Sequence, residues 1–107
     1  MNQPYLLNES EKQALGYLEE VIDPEIGLNI VDLGLVYSII VLNSARKINV
    51  RMTLTTQFCP MGASIVGSVE ETLKEHFPQY EVEVNLTFEP RWDAGMISDA
   101  GKAFLDV

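Results

Sequence analysis

"INVRMTLTTQFCPMGASIV", residues 48 to 66, changes its repeat halfway along. Ile48, Val50, Met52 and Leu54 alternate with Asn49, Arg51, Thr53 and Thr55, the period of two that gives a strand one buried and one wet face. Past the junction, Ile65, Val66, Val69, Leu73 and Phe77 recur at three and four, so one apolar stripe runs along a helix from Pro60 or Met61 to His76. Pro60 suits the first turn, where its missing N–H would have had no partner, and Pro78 stops the helix. A one-faced strand feeding a one-faced helix calls for a sheet with helices laid on its apolar side.

The flanking segments extend this frame. Leu35 to Leu42 is β-branched and apolar on both alternating faces, which predicts a strand covered on both sides or near the sheet centre. "NSARK" supplies a turn, so this run and the next form a hairpin. Downstream, Glu81 to Phe88 alternates again, with Val82, Val84, Leu86 and Phe88 inward. At the front, Asn8 with Glu11, and Ser10 with Gln13, both have capping-box spacing. Ala14, Leu15, Leu18, Val21 and Ile22 make a helical stripe opposite Glu11, Lys12, Glu19 and Glu20, ending at Asp23 because Pro24 disfavours helical geometry there. The chain closes with an irregular stretch around Pro90 and Trp92, then a short helix capped by Ser98. The order α-β-β-α-β-α predicts a two-layer α+β sandwich in one domain over residues 1–107.

Composition narrows the function classes. With Lys+Arg 7 against Asp+Glu 16, the formal net charge of -9 argues against nucleic acid and anionic membrane surfaces as partners. The first residues lack a basic stretch followed by an apolar one, no apolar run is long enough to span a bilayer, and a single cysteine suits a reducing compartment, so a soluble cytoplasmic protein is expected.

That cysteine, Cys59, stands at the strand-to-helix junction, where the helix dipole and unpaired backbone N–H groups favour thiolate over thiol. The alternative is a small buried residue filling the corner. A cysteine hydrolase would need a base, and the one histidine, His76, sits at the other end of the same helix, roughly 25 Å away at about 1.5 Å per residue. Neither a catalytic dyad nor a Cys-His metal site forms over that distance, and the paired spacings of structural zinc are missing. His76 is expected in the last helical turn, at the carbonyl end that suits positive charge. Asp23, Glu25 and Asp32 have two readings. Either Asp23 ends a helix, Asp32 makes a turn before Gly34 and Glu25 is solvated, or the loop folds toward Cys59 and offers oxygen ligands or a partner contact. Trp92 reads as a plug for an open sheet edge or as an exposed recognition residue.

"VIDPEIGLNIVDLGLVYSI" (21–39), "MTLTTQFCPMG" (52–62) and "LTFEPRWDAGMISDAGKAFL" (86–105) together resemble the MIP18/DUF59 family of SufT- and PaaD-like metal-sulfur cluster assembly proteins, in order, in spacing and over nearly the whole chain. The resemblance implies a fold akin to the NifU C-terminal-like cluster-assembly domain and a role in maturing iron-sulfur proteins, with carrier or scaffold proteins and apo clients as partners. By position, the family's Asp-Pro-Glu falls on Asp23, Pro24 and Glu25, its Asp-Leu-Gly on Asp32, Leu33 and Gly34, and its reactive cysteine on Cys59, followed by Pro60. Cys59 is then the metal ligand or transfer thiol, with Asp23, Glu25, Asp32, Thr55, Pro60 and Trp92 supporting it or docking a partner. Clusters usually take four protein ligands, so one cysteine implies a transient, shared iron-sulfur cluster. It would be shared across a homodimer, with a small thiol or an acid such as Glu25, or with the client or carrier. A non-metal-binding adaptor and an oxygenase accessory are the rival expectations. No GxxxxGK[ST] occurs, so no nucleotide is expected, and with no base beside the thiol no enzymatic activity is expected.

Overall fold

The computed structural model describes residues 7–56 and 61–106. Helices α1 (Glu9–Leu18), α2 (Gly62–His76) and α3 (Asp99–Leu105) and strands β1 (Val36–Leu42), β2 (Lys47–Met52) and β3 (Glu81–Leu86) follow in the order α-β-β-α-β-α. The mixed α+β architecture expected from the two repeats is present. The sheet runs β1-β2-β3, with β1 and β2 antiparallel and β2 and β3 parallel. Ile48, Val50 and Met52 of β2 are fully buried, and so are Val69 and Leu73 of α2. The central strand and the stripe of α2 therefore form the middle of the core. Among the described residues no helix is long and apolar enough to cross a membrane.

β1 is an edge strand, not the covered or central strand its apolar composition suggests. Val36, Ile39 and Val41 are buried, whereas Ile40 and Leu42 are 47% and 46% exposed on the uncovered face. A register shift between Val36 and Ser38 puts Val36 and Ile39, an odd number apart, on the same side. This bulge is what hides a simple alternation from the sequence. β3 ends at Leu86 rather than Phe88, and Leu86 is 45% exposed.

Helix α1 begins with the Asn8–Glu11 capping box and stops at Leu18, short of Asp23. Val21 remains buried, but from a turn: its N–H donates to the Leu18 carbonyl, and its carbonyl accepts from the Ile30 N–H. Ile22 is exposed and bridges Asn29. Glu11, expected on the wet face, is buried. One carboxylate oxygen accepts from the Asn8 N–H (2.9 Å) and the other from the Val41 N–H of β1 (2.9 Å). A carboxylate with both oxygens satisfied escapes most of the cost of desolvation.

Candidate functional site

The register row Val36, Met52, Leu86 marks one end of the sheet, where β1 begins and β2 and β3 finish. All three motif-bearing segments meet there: the acidic loop entering β1, the β2–α2 junction, and the segment that leaves β3. Backbone bonds join them directly, from the Thr53 N–H to the Leu35 carbonyl (2.8 Å) and from the Thr87 N–H to the Met52 carbonyl (2.8 Å). The right spacing in sequence thus becomes a single neighbourhood in space because the parallel β2–α2–β3 crossover returns the chain to the same end.

Within the acidic loop, Asp23 is 2% exposed and turns its Oδ1 onto the N–H groups of Glu25 (2.8 Å) and Ile26 (3.2 Å). Its own backbone exchanges bonds with Leu28 and Gly27, closing residues 23–28 into a tight turn, with Gly27 at φ 81°. Asp23 therefore winds the loop rather than ending a helix. Glu25, presented at the outside of that turn, is exposed.

Asp32 joins two segments. Its N–H donates to Asn29 Oδ1 (2.8 Å), and its Oδ2 accepts from Asn29 Nδ2 (2.7 Å). Its Oδ1 accepts from the Ser98 hydroxyl (2.8 Å), and its carbonyl accepts from the Ser98 N–H (2.8 Å). Ser98 also caps α3 through the Gly101 N–H (3.0 Å), so the carboxylate of Asp32 fixes the start of the last helix. Gly34 follows at φ 81°, and a Cβ there would lie 2.9 Å from the Met96 carbonyl carbon, so only glycine admits the C-terminal segment this closely. Trp92 is half-buried and donates its indole N–H to the Leu33 carbonyl (2.7 Å). It anchors the post-β3 segment to the acidic loop, which agrees with a packing role more than with a free recognition residue.

At the β2–α2 junction, Leu54 is buried and Thr55 half-buried. Gly62, the first residue of α2, faces Leu54 so closely that a Cβ on it would come within 2.7 Å of Leu54 Cδ1. The two feet of the junction thus touch. Cys59 and Pro60, with Gln57 and Phe58, lie outside the described residues. Met61 occupies the N-cap of α2 without a side-chain hydrogen bond to the helix. Among the described residues no group of three or more His, Cys, Asp and Glu is arranged to hold a metal ion.

A groove of about 450 Å³ opens beside this end, lined by Gly34, Tyr37, Arg51, Pro90, Met96 and Ser98 among others. The Tyr37 hydroxyl donates to the Pro90 carbonyl (2.7 Å), and Arg51 donates to the Glu89 carbonyl (2.7 Å) with its guanidinium carbon 5.9 Å from the centre of the Tyr37 ring. Burial pushes the Tyr37 hydroxyl pKa above its ordinary value. Hydrogen bonding to Thr53 and the charge of Arg51 oppose that shift, while Asp93 adds to it. Sequence reasoning singled out none of Asn29, Tyr37 or Arg51. The Asn29–Asp32 spacing of three, a capping spacing, was the available signal for the first; nothing local marks the other two, whose partners lie 53 and 38 residues away. His76 lies in the last turn of α2 as expected, stacked on Tyr17 (3.7 Å between ring centres) at the opposite end of the sheet.

Comparison with known proteins adds independent information. Residues 11–86 match the model of a family described as iron-sulfur cluster assembly protein. The chain is 42% identical over 87 residues to the Fe-S protein maturation auxiliary factor SufT of Staphylococcus aureus (strain USA300), covering 81% of this chain and 98% of that one. It is 33% identical over 97 residues to the Fe-S protein maturation auxiliary factor YitW of Bacillus subtilis (strain 168), covering 91% and 94% respectively. Among solved structures, a domain of unknown function DUF59 from Bacillus anthracis superposes with a TM-score of 0.85 at 37% identity, over 91% of this chain and 92% of that one.

Proposed function

The chain belongs to the iron-sulfur cluster assembly protein family, and on that footing we propose that it is an auxiliary factor in iron-sulfur protein maturation, helping to deliver clusters to apo clients. The cluster is its cargo. Cys59 serves as a transient ligand or transfer thiol, and the other ligands come from the carrier, the client or a small thiol, because one cysteine cannot complete a set of four. An incomplete set holds the cluster loosely, which is what release to a client requires. The role is one of binding and hand-over without bond-making catalysis by the protein.

The observation that carries this reading is the meeting of the three motif-bearing segments at the Val36–Met52–Leu86 end of the sheet. The oxygens of Asp23 and Asp32 are engaged in the turns described above, which supports a positioning role for both. Glu25 is exposed, which makes it the acid of the three with a carboxylate to offer. Thr55 and Pro60 flank the thiol in sequence, and Trp92 holds the third segment against the loop.

Anaerobic reconstitution with iron and sulfide tests the assignment, comparing the natural chain with Cys59→Ala by absorbance and iron content. Iron and sulfide retained by the natural chain and lost in the variant are expected. Equal retention in both overturns the role of Cys59, and no retention by the natural chain, with client loading in cells unchanged on Cys59→Ala, overturns the reading in favour of an adaptor that never touches the cluster.

A further inference from the structure

The two edges of the sheet are treated differently. At the β1 edge, the Val41 N–H donates to Glu11 Oε2 (2.9 Å) and the Val41 carbonyl accepts from Asn8 Nδ2 (3.4 Å). The start of α1 thereby occupies the outward backbone groups of Val41, which an added strand would need. Among the described residues β3 has no such cover. The Glu81 N–H donates to the Arg46 carbonyl and the Thr87 N–H to the Met52 carbonyl, so the odd-numbered residues of β3 turn their backbone groups toward β2. Val82, Val84 and Leu86 then turn theirs outward, and among the described residues β3 pairs with β2 alone.

The side chains along this edge are sorted by face. Val82 and Val84 lie on the core side yet remain only half-buried, and Leu86 beside them is 45% exposed. Glu81 and Glu83 stand exposed on the other face, bordering a hollow of about 290 Å³ with Lys47 and Asn49. Lys47 approaches Glu81 (3.7 Å) from the β2 side; among the described residues no ion pair holds Glu83. A second copy of β3 would bring Glu81 and Glu83 of both chains onto one sheet face, where like charges on adjacent strands repel. An extended segment carrying lysine or arginine at alternate positions, with apolar residues between them, matches both faces.

We propose that the open edge of β3 is a docking site for an extended segment of a partner protein with alternating basic and apolar residues, added to the sheet as a further strand. Backbone bonds to Val82, Val84 and Leu86 hold it. Its apolar side chains cover those three residues, and its cations face Glu81 and Glu83. The proposal rests on the backbone and charges of β3 and does not depend on cluster chemistry.

The test uses the full chain, labelled for amide hydrogen exchange, with a short end-blocked peptide of alternating lysine and valine as probe. The amides of Val82, Val84 and Leu86 are expected to slow by about tenfold at a peptide concentration ten times the dissociation constant. Those of Glu81, Glu83 and Asn85, already paired to β2, slow by no more than the general gain in stability on binding. The surface substitution Glu83→Lys is expected to weaken the peptide by about threefold or more. Three results overturn the proposal: no slowing at millimolar peptide, equal slowing by both of two peptides that are N-methylated at one or the other alternate set of nitrogens, or slowing that grows with protein concentration in the absence of peptide. The last would assign the edge to a second copy of this chain.

Discussion

At the end of the sheet where β1 begins, the chain is held by acids and glycine: Asp23 winds one turn, Asp32 ties it to α3, and Gly34 lets Met96 close in. At the opposite end, the β1–β2 turn and the α2–β3 connection are held by exposed polar and aromatic groups. The Tyr80 hydroxyl donates to Asn43 Oδ1 (2.6 Å), Arg46 donates to Gln79 Oε1 (2.8 Å), and Phe77 packs edge-on against Tyr80. His76 lies flat on Tyr17. The far end is a clasp whose parts are interchangeable on the surface. The near end positions groups by buried bonds that tolerate little change, the pattern expected where preorganisation matters. Substitutions at the two ends should therefore differ in size and in kind.

The largest loss is expected from Gly34→Ala. Positive φ is costly for alanine, and the new methyl would fall on the Met96 carbonyl, so we expect a loss of about 3 kcal/mol or more in urea denaturation. Asp32→Ala comes next, at about 2 kcal/mol, because two hydrogen bonds to a charged acceptor are lost and Ser98 and Asn29 are left without it. Amide exchange in α3 should accelerate in that variant, while exchange at the Asn43–Arg46 turn stays as it was. Faster exchange at both ends alike would break the contrast.

Two aromatic substitutions probe the ends at about equal magnitude. His76→Ala removes a stacked pair and should cost about 1 kcal/mol without reducing client maturation. Tyr37→Phe, beside the near end, removes the hydroxyl and with it the bond to the Pro90 carbonyl, at a similar cost, and adds a pH signature. Burial raises the Tyr37 pKa in the folded chain, whereas the unfolded tyrosine titrates near 10.0. The unfolded state therefore loses its proton first, and stability due to this group is complete below about pH 10 and falls as the pH rises toward the folded value. Between about pH 9 and about pH 11 the natural chain should lose more stability than Tyr37→Phe. Parallel curves would refute the assigned burial effect.

Most of the frame was legible because it rests on local periodicity. β2, α2, the Asn8–Glu11 box and the Ser98 cap follow from spacing that neighbouring residues enforce. What local pattern could not reveal was decided by distant contacts. β1 looked central because Ile40 and Leu42 are apolar, but strand order depends on which strand α2 returns beside. Glu11 looked solvated, although Val41, 30 residues on, claims it. At the site, the motifs gave the segments and their acids, and the division of labour among those acids came only with Asn29 and Ser98 in place.

The smallest stability effect is expected from Glu25→Gln, and it separates the two kinds of role most sharply. Glu25 donates its backbone N–H to Asp23, a bond that glutamine keeps, and its exposed side chain makes no ion pair among the described residues. The change should lie within about 0.5 kcal/mol, as for surface positions generally. If Glu25 supplies an oxygen toward the cargo beside Cys59, removing its negative charge should still reduce iron retained after anaerobic reconstitution. Asp23→Asn makes the complementary case: its carbonyl oxygen can still accept from Glu25 and Ile26, so the turn and the retained iron should largely persist, at some cost in stability for the weaker neutral acceptor. Iron retention that tracks stability across these variants would mean that the acidic loop acts only as scaffold. Retention that falls in Glu25→Gln alone, with stability unchanged, would mean that one acid of the three is chemical and the others hold it in place.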